Sequence, residues 1–189
     1  APEFRELPAR AVGALLARGV SVVATDAAPA EKLGPLPQHE RLELVLGGHP
    51  LSLLAGVDLC VVSPGVPMSI AALDAARASG IPVIAEIELA SRLVPGLVVG
   101  ITGTNGKSTT TALCAALLRD AGRDAVACGN FGTPCIQFAE GPASGEPQPP
   151  TRVWVVELSS FQLEGTRRFA PDVAVHLNLT PDHLDRYRS

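Results

Sequence analysis

At 189 residues, 47% of them apolar and 18% charged, the chain holds enough hydrophobic material to bury a core, which excludes a disordered or low-complexity protein. A formal net charge of −4 with Arg167-Arg168 as the only local basic cluster excludes the positive stripe of a nucleic-acid-binding surface. No apolar run approaches the ~18 residues of a membrane span, and no basic-then-apolar leader opens the chain, so the sequence predicts neither a membrane partner nor export.

In chain order, Leu7, Ala11, Ala14, Leu15 and Ala17 recur at helical spacing between Phe4 and Arg18, and Gly19 supplies a stop. The run "VSVVAT" then reads as a buried strand closed by Asp26, followed after a Pro-rich turn by the strand "LELVL". Next come the strand "VDLCVVS" leading into "PGVP", a helix in "MSIAALDAARASG", the strand "IPVIA" and the helix "EIELASRL". Apolar strands alternating with helices predict parallel strands covered on both faces, hence a doubly wound α/β sheet.

The segment "VPG" at 94–96 reads as a link to a second α/β unit, with "LVVGIT", a helix through Asp120, "DAVAC", "RVWVVE" and "VAVHLN" in succession. The expected organisation is therefore two consecutive doubly wound, mainly parallel sheets, over 1–95 and 96–189. The stretch "EGPASGEPQPPT" is predicted to be a solvated loop. Cys60, Cys114, Cys128 and Cys135 follow no CxxC spacing and sit mostly in apolar runs, which predicts buried free thiols in a reducing cytoplasm. Met68, Trp154 and Tyr187 read as packing residues. Because the chain starts almost directly in a helix and stops in the charged "DHLDRYRS", it is expected to be a piece of a longer protein.

The chemistry gathers at the ends of the second unit's strands. Between a strand and a helix, "GTNGKST" (103–109) has the parts of a phosphate cradle. Gly103 and Gly106 let backbone N–H groups converge, the helix start adds partial positive charge, Lys107 can reach the β/γ-phosphates, and Ser108 can ligate Mg2+. The spacing departs from G-x-x-x-x-G-K-[ST]: Ile101 stands where the first glycine belongs, with Gly100 one residue further out. Glu157 ends the strand "RVWVVE", at the edge where open α/β sheets bind ligands, and a carboxylate there can hold Mg2+ beside a triphosphate. Asp182 and His183 follow another strand. Asn130 follows a fourth, where its amide either orients a substrate or caps a turn.

Taken in order, "GITGTNGKSTTT", "GNFGTP", "ELSSFQLE" and "NLTPDHLDRY" resemble the central domain of the Mur ligases, ATP-dependent amide-bond-forming enzymes of peptidoglycan precursor synthesis. "SPGVP" and "ELSSFQL" are similar to the D-glutamate-adding branch of that family. The resemblance implies a Rossmann-like N-terminal domain that binds the UDP part of the substrate, and a P-loop NTPase-like central domain. It also implies ATP and Mg2+ as cofactors, with UDP-N-acetylmuramoyl-L-alanine and D-glutamate as substrates, joined through an acyl phosphate. Residue by residue, it implies that Lys107 neutralises the β/γ-phosphates within a loop of Gly103, Thr104, Asn105, Gly106, Ser108 and Thr109. Ser108 and Glu157 would hold a first Mg2+ and His183 a second, while Asn130 would contact the muramoyl substrate. Asp26 and the turn Ser63-Pro64-Gly65 would approach the UDP moiety, although Ala27-Ala28 stand where a Thr-Arg pair is expected. Two rival readings are a sibling ligase, including a folylpolyglutamate synthetase-like enzyme, and a non-catalytic nucleotide-binding module. The expected protein is a cytoplasmic monomer, and this chain alone is expected to be inactive.

Overall fold

The computed structural model describes residues 7–29, 38–140 and 151–184. The helix α1 (Leu7–Leu16) leads into β1 (Val22–Asp26), which pairs in parallel with β2 (Leu42–Leu46). A short 3-10 turn precedes β3 (Cys60–Val62); α2 (Ala71–Ala78) crosses over to β4 (Val83–Ala85), parallel to β3, and α3 (Glu86–Leu93) follows at once. The second unit comprises β5 (Leu97–Thr102), α4 (Lys107–Asp120), β6 (Ala125–Gly129), β7 (Val153–Glu157), the single turn α5 (Ser160–Leu163) and β8 (Val173–His176). Among the described residues its strands form one parallel sheet in the order β6-β7-β5-β8.

The parallel α/β architecture agrees with the sequence reading, but the first unit differs in detail. Instead of one sheet, its described residues form two separate pairs, β1-β2 and β3-β4. The expectation that "VSVVAT" is buried is also corrected: β1 alternates between half-buried and exposed, with Val23 40% exposed, and no residue of β1 or β2 is buried. The physical reason is that no described element covers both faces of this pair, whereas β3-β4 packs Val62 and Val83 on Leu73 and Ala76 of α2. The predicted loop after Glu140, Tyr187 and the N-terminal start of the first predicted helix lie outside the described residues.

The deepest core joins the two units. Ala11 and Ala14 of α1, Ile84 and Ala85 of β4 and Ile87, Leu89 and Ala90 of α3 pack on Cys128, Cys135, Ile136, Ala139, Trp154, Val156 and Leu158. Strands β5 and β7 are central in the four-stranded sheet, so Ile101 and Val155 are almost wholly buried and fix the strand ends that carry the site. Among the described residues no helix is long and apolar enough to cross a membrane.

Candidate functional site

The register of β5 against β7 places Ile101 opposite Glu157, so the loop leaving β5 and the carboxylate ending β7 emerge at the same sheet edge. Two bonds tie these ends together: the Leu158 N–H donates to the Ile101 carbonyl at 2.8 Å, and the Thr102 hydroxyl donates to the Leu158 carbonyl at 2.9 Å. Parallel strands followed by a tight turn into a helix put all such loops on the carboxyl side of the sheet, where ligands bind.

Gly106 is the N-cap of α4, with φ 83° and no side-chain cap. The first N–H groups of a helix have no partner inside it, so the start of α4 presents uncapped donors together with the positive end of the helix dipole. Lys107 curls over the loop, its Nζ donating to the carbonyls of Gly103 at 2.7 Å and Thr104 at 2.9 Å. The ammonium is thereby held within the turn that the sequence assigned to phosphate. Ser108 and Thr109 follow in the first turn, both exposed.

Glu157 is only 2% exposed. Its Oε1 accepts from Asn130 Nδ2 at 2.9 Å, and the Asn130 N–H donates to the Glu157 carbonyl at 2.9 Å. Its Oε2 is buried without a partner. An ionised carboxylate oxygen in that state is costly unless something of opposite charge satisfies it. The oxygen donors at hand, the Glu157 carboxylate and the Ser108 and Thr109 hydroxyls, suit Mg2+, which typically takes one or two carboxylates and completes its shell with phosphate oxygens and water. The residues therefore fit the implied metal. Among the described residues no group of three or more His, Cys, Asp or Glu side chains is placed to hold a metal ion.

Past Glu157, the chain turns on a capping box that the sequence reading had not picked out. The Ser159 hydroxyl accepts from the Gln162 N–H at 3.3 Å, and the Ser159 N–H donates to Gln162 Oε1 at 2.9 Å. The S-x-x-Q spacing signals this arrangement. Phe161, on the same turn, packs its ring 4.8 Å from the His183 ring.

His183 thus lies beside the element following Glu157, on the loop after β8. It is exposed, with φ 50°; its N–H donates to Asp182 Oδ1 at 2.9 Å, and its Nε2 is 3.7 Å from Asp182 Oδ2. Asn178, also absent from the sequence reading, joins the β8 turn to the loop between β5 and α4, because its carboxamide pairs with the backbone of Asn105 in both directions, at 2.9 and 3.0 Å.

In the first unit, Ser63-Pro64-Gly65 forms the turn after β3, closed by the Val66 N–H on the Ser63 carbonyl at 3.0 Å. Asp26 ends β1, and its Oδ1 accepts from the Ala28 N–H at 2.7 Å, shaping its own turn. These residues stand at carboxyl ends of strands, as the sequence reading expected.

Two family descriptions match parts of the chain. The description "Mur ligase MurD-like, N-terminal domain" matches residues 10–85, and "Mur ligase middle domain" matches residues 101–189. The chain is similar to the UDP-N-acetylmuramoylalanine--D-glutamate ligase of Koribacter versatilis (strain Ellin345), 45% identical over 177 residues that make up 92% of this chain and 38% of that protein. It is 56% identical to the ligase of the same name from Anaeromyxobacter dehalogenans (strain 2CP-C) over 143 residues, 75% of this chain and 29% of that protein. The corresponding figures for Myxococcus xanthus (strain DK1622) are 46% over 177 residues, 91% and 37%. The chain thus spans less than two fifths of the length of these relatives. In fold, it is similar to the crystal structure of UDP-N-acetylmuramate:L-alanyl-gamma-D-glutamyl-meso-diaminopimelate ligase from Neisseria meningitides, with a TM-score of 0.53, 21% identity, and coverage of 95% of this chain and 60% of that one.

Proposed function

The chain belongs to the Mur ligase family, and we propose that it provides the UDP-substrate and ATP-binding parts of an ATP-dependent ligase that adds D-glutamate to UDP-N-acetylmuramoyl-L-alanine. The observation that carries this reading is Glu157, a buried carboxylate with one oxygen held by Asn130 and the other unpartnered, at the strand end beside the Lys107 loop. Relatives named for that ligase support the choice of substrates.

In this reading, the start of α4 binds the β/γ-phosphates and Lys107 neutralises them as charge shifts during phosphoryl transfer to the substrate carboxylate. Bringing two anions together demands preorganised positive charge in a site shielded from water. Mg2+, when bound, supplies further charge neutralisation at the phosphates. Ser108, with Thr109 next to it, and Glu157 hold a first ion, and His183 is assigned to a second. Asn130 fixes the Glu157 carboxylate and contacts the muramoyl substrate, while Asp26 and Ser63-Pro64-Gly65 approach the UDP group. The amine of D-glutamate then attacks the acyl phosphate and displaces phosphate. The protein works as a cytoplasmic monomer without a nucleic-acid or membrane partner.

The test is phosphate release by the complete gene product with ATP, Mg2+ and UDP-N-acetylmuramoyl-L-alanine, comparing D-glutamate with L-glutamate, L-lysine and diaminopimelate. Release that depends on D-glutamate is the expected result. Release with another amino acid assigns a different substrate, and no release with any of them rejects the ligase reading. The 189-residue chain by itself is expected to give no D-glutamate-dependent ADP.

A further inference from the structure

We propose that Asn178, together with the Thr104–Thr180 pair, is a positioning clamp that shapes the phosphate loop from the β8 side and leaves the phosphates to the N–H groups of residues 106–109, an inference that rests on the nucleotide reading above. Asn178 Oδ1 accepts from the Asn105 N–H at 2.9 Å, Asn178 Nδ2 donates to the Asn105 carbonyl at 3.0 Å, and the Asn178 carbonyl accepts from the Thr104 N–H at 3.1 Å. The Thr104 hydroxyl donates to the Thr180 carbonyl at 3.1 Å and accepts from the Thr180 N–H at 3.0 Å. These five bonds hold two consecutive loop residues against one turn.

Gly103 is what permits the approach. A Cβ there would lie 3.1 Å from both the Asn178 nitrogen and Leu177 Cβ, and the backbone stands at φ 144°. A side chain at 103 would push the β8 turn off the loop.

The clamp divides the donors of the loop. The N–H groups of Thr104 and Asn105 already serve Asn178, and the helical ladder of α4 starts with the Thr110 N–H on the Gly106 carbonyl at 3.0 Å. The donors that the helix leaves over are those of Gly106, Lys107, Ser108 and Thr109. An anion therefore meets the helix start, with Thr104 and Asn105 acting as the frame that aims it.

Asn105, Asn178 and Thr180 are exposed, so their hydrogen bonds compete with water and add little to global stability. Such a network is expected to reveal itself in nucleotide affinity rather than in melting temperature. The same turn continues to Asp182 and His183, which places the second assigned metal residue on the segment that grips the loop.

The experiment uses the complete gene product and Mg2+-ADP as the probe, with affinity read by calorimetry and the Asn105 amide followed by hydrogen exchange. For Asn178→Ala, the Kd for ADP is expected to rise about tenfold, equivalent to about 1.4 kcal/mol, with faster exchange at Asn105 and a melting temperature within about 3 °C of wild type. A Kd change below threefold, or unaltered exchange at Asn105, overturns the clamp. Thr104→Val, which removes only the hydroxyl pairing to Thr180, is expected to raise the Kd at least threefold. It decides the matter if Asn178→Ala does not fold, a smaller change then overturning the proposal. Failure of the wild type to bind Mg2+-ADP would overturn the nucleotide reading itself, a result distinct from a wild type that binds and variants that bind equally well.

Discussion

Glu86 and Glu88 leave the same helix two residues apart, both buried, and their surroundings drive them in opposite directions. Glu86 is 5% exposed with Oε2 unpartnered, and burial pushes its carboxyl up to about 7. Burial would raise Glu88 as well, but the N–H groups of Arg167, Arg168 and Phe169 and the Arg92 guanidinium outweigh it and hold that carboxyl at about 2. Between its ordinary value near 4.5 and about 7, Glu86 binds more protons folded than unfolded, so stability falls as pH rises through that window. Glu88, with its depressed value, contributes stability above about 4.5 that is lost only as pH falls towards 2. Glu86→Gln, which keeps the shape and removes the titration, should therefore have a melting temperature less dependent on pH than wild type from 4.5 to 7; parallel curves for the two proteins would remove Glu86 as the cause. At the candidate site, Lys107→Ala in the complete protein should lower turnover at least about a hundredfold, as for loss of one preorganised donor to developing charge. A loss below threefold would mean that the loop does not hold the reacting phosphates. Glu157→Gln should raise the Mg2+ concentration needed for half-maximal activity, and an unchanged Mg2+ titration would take Glu157 out of the metal shell.

At the scale of elements, the strand-loop-helix from β5 to α4 was legible because its signals are local: a continuous apolar run, two glycines, a lysine and a hydroxyl at the helix start. Glu157 was legible for the same reason, as the polar residue closing an apolar strand. The sequence could not show that its Oε1 would be taken by Asn130, since that bond joins residues 27 apart in the chain. Asn178 escaped notice because a lone amide after a strand resembles any turn residue, and only the 73-residue separation closed by the sheet gives it a partner. The exposure of β1 was hidden too: an apolar run records what a strand could bury, whereas its burial depends on which elements cover it. A further contact invisible in sequence is Gly165, whose carbonyl accepts from the Ala85 N–H at 2.8 Å. A Cβ at 165 would come within 2.6 Å of the Ala85 nitrogen and 2.7 Å of its Cβ. Because the obstacle is backbone, Gly165→Ala must separate the turn after α5 from the end of β4, and a destabilisation of about 1–3 kcal/mol is expected. Denaturant unfolding checks this, and an unaltered midpoint would show that the contact yields freely.

For the whole molecule, the question is whether the units divided in sequence near residue 95 also unfold apart. The packing favours a single event, because the principal core draws residues from α1, β4 and α3 as well as from β6 and β7. Trp154 sits at this junction, 2% exposed, with its Nε1 donating to the Pro95 carbonyl at 2.8 Å and its ring 4.9 Å from that of Phe138. The linker is thereby fastened to the second unit's sheet. Glu88 adds a fixed polar joint, carrying α3 onto the backbone of residues 167–169. A boundary that cuts through a shared core leaves either half with buried apolar surface open to water, at about 25 cal/mol for each Å² exposed, so neither half is expected to persist alone. Since Trp154 is the only tryptophan, its fluorescence reports on the junction while far-UV circular dichroism reports on all the helices and strands. In a denaturant titration of the 189-residue chain the two signals should trace one transition with one midpoint. If fluorescence were lost at a lower concentration than helix and strand content, the junction would open before its units melt, and the shared core would be an interface between two independently stable bodies.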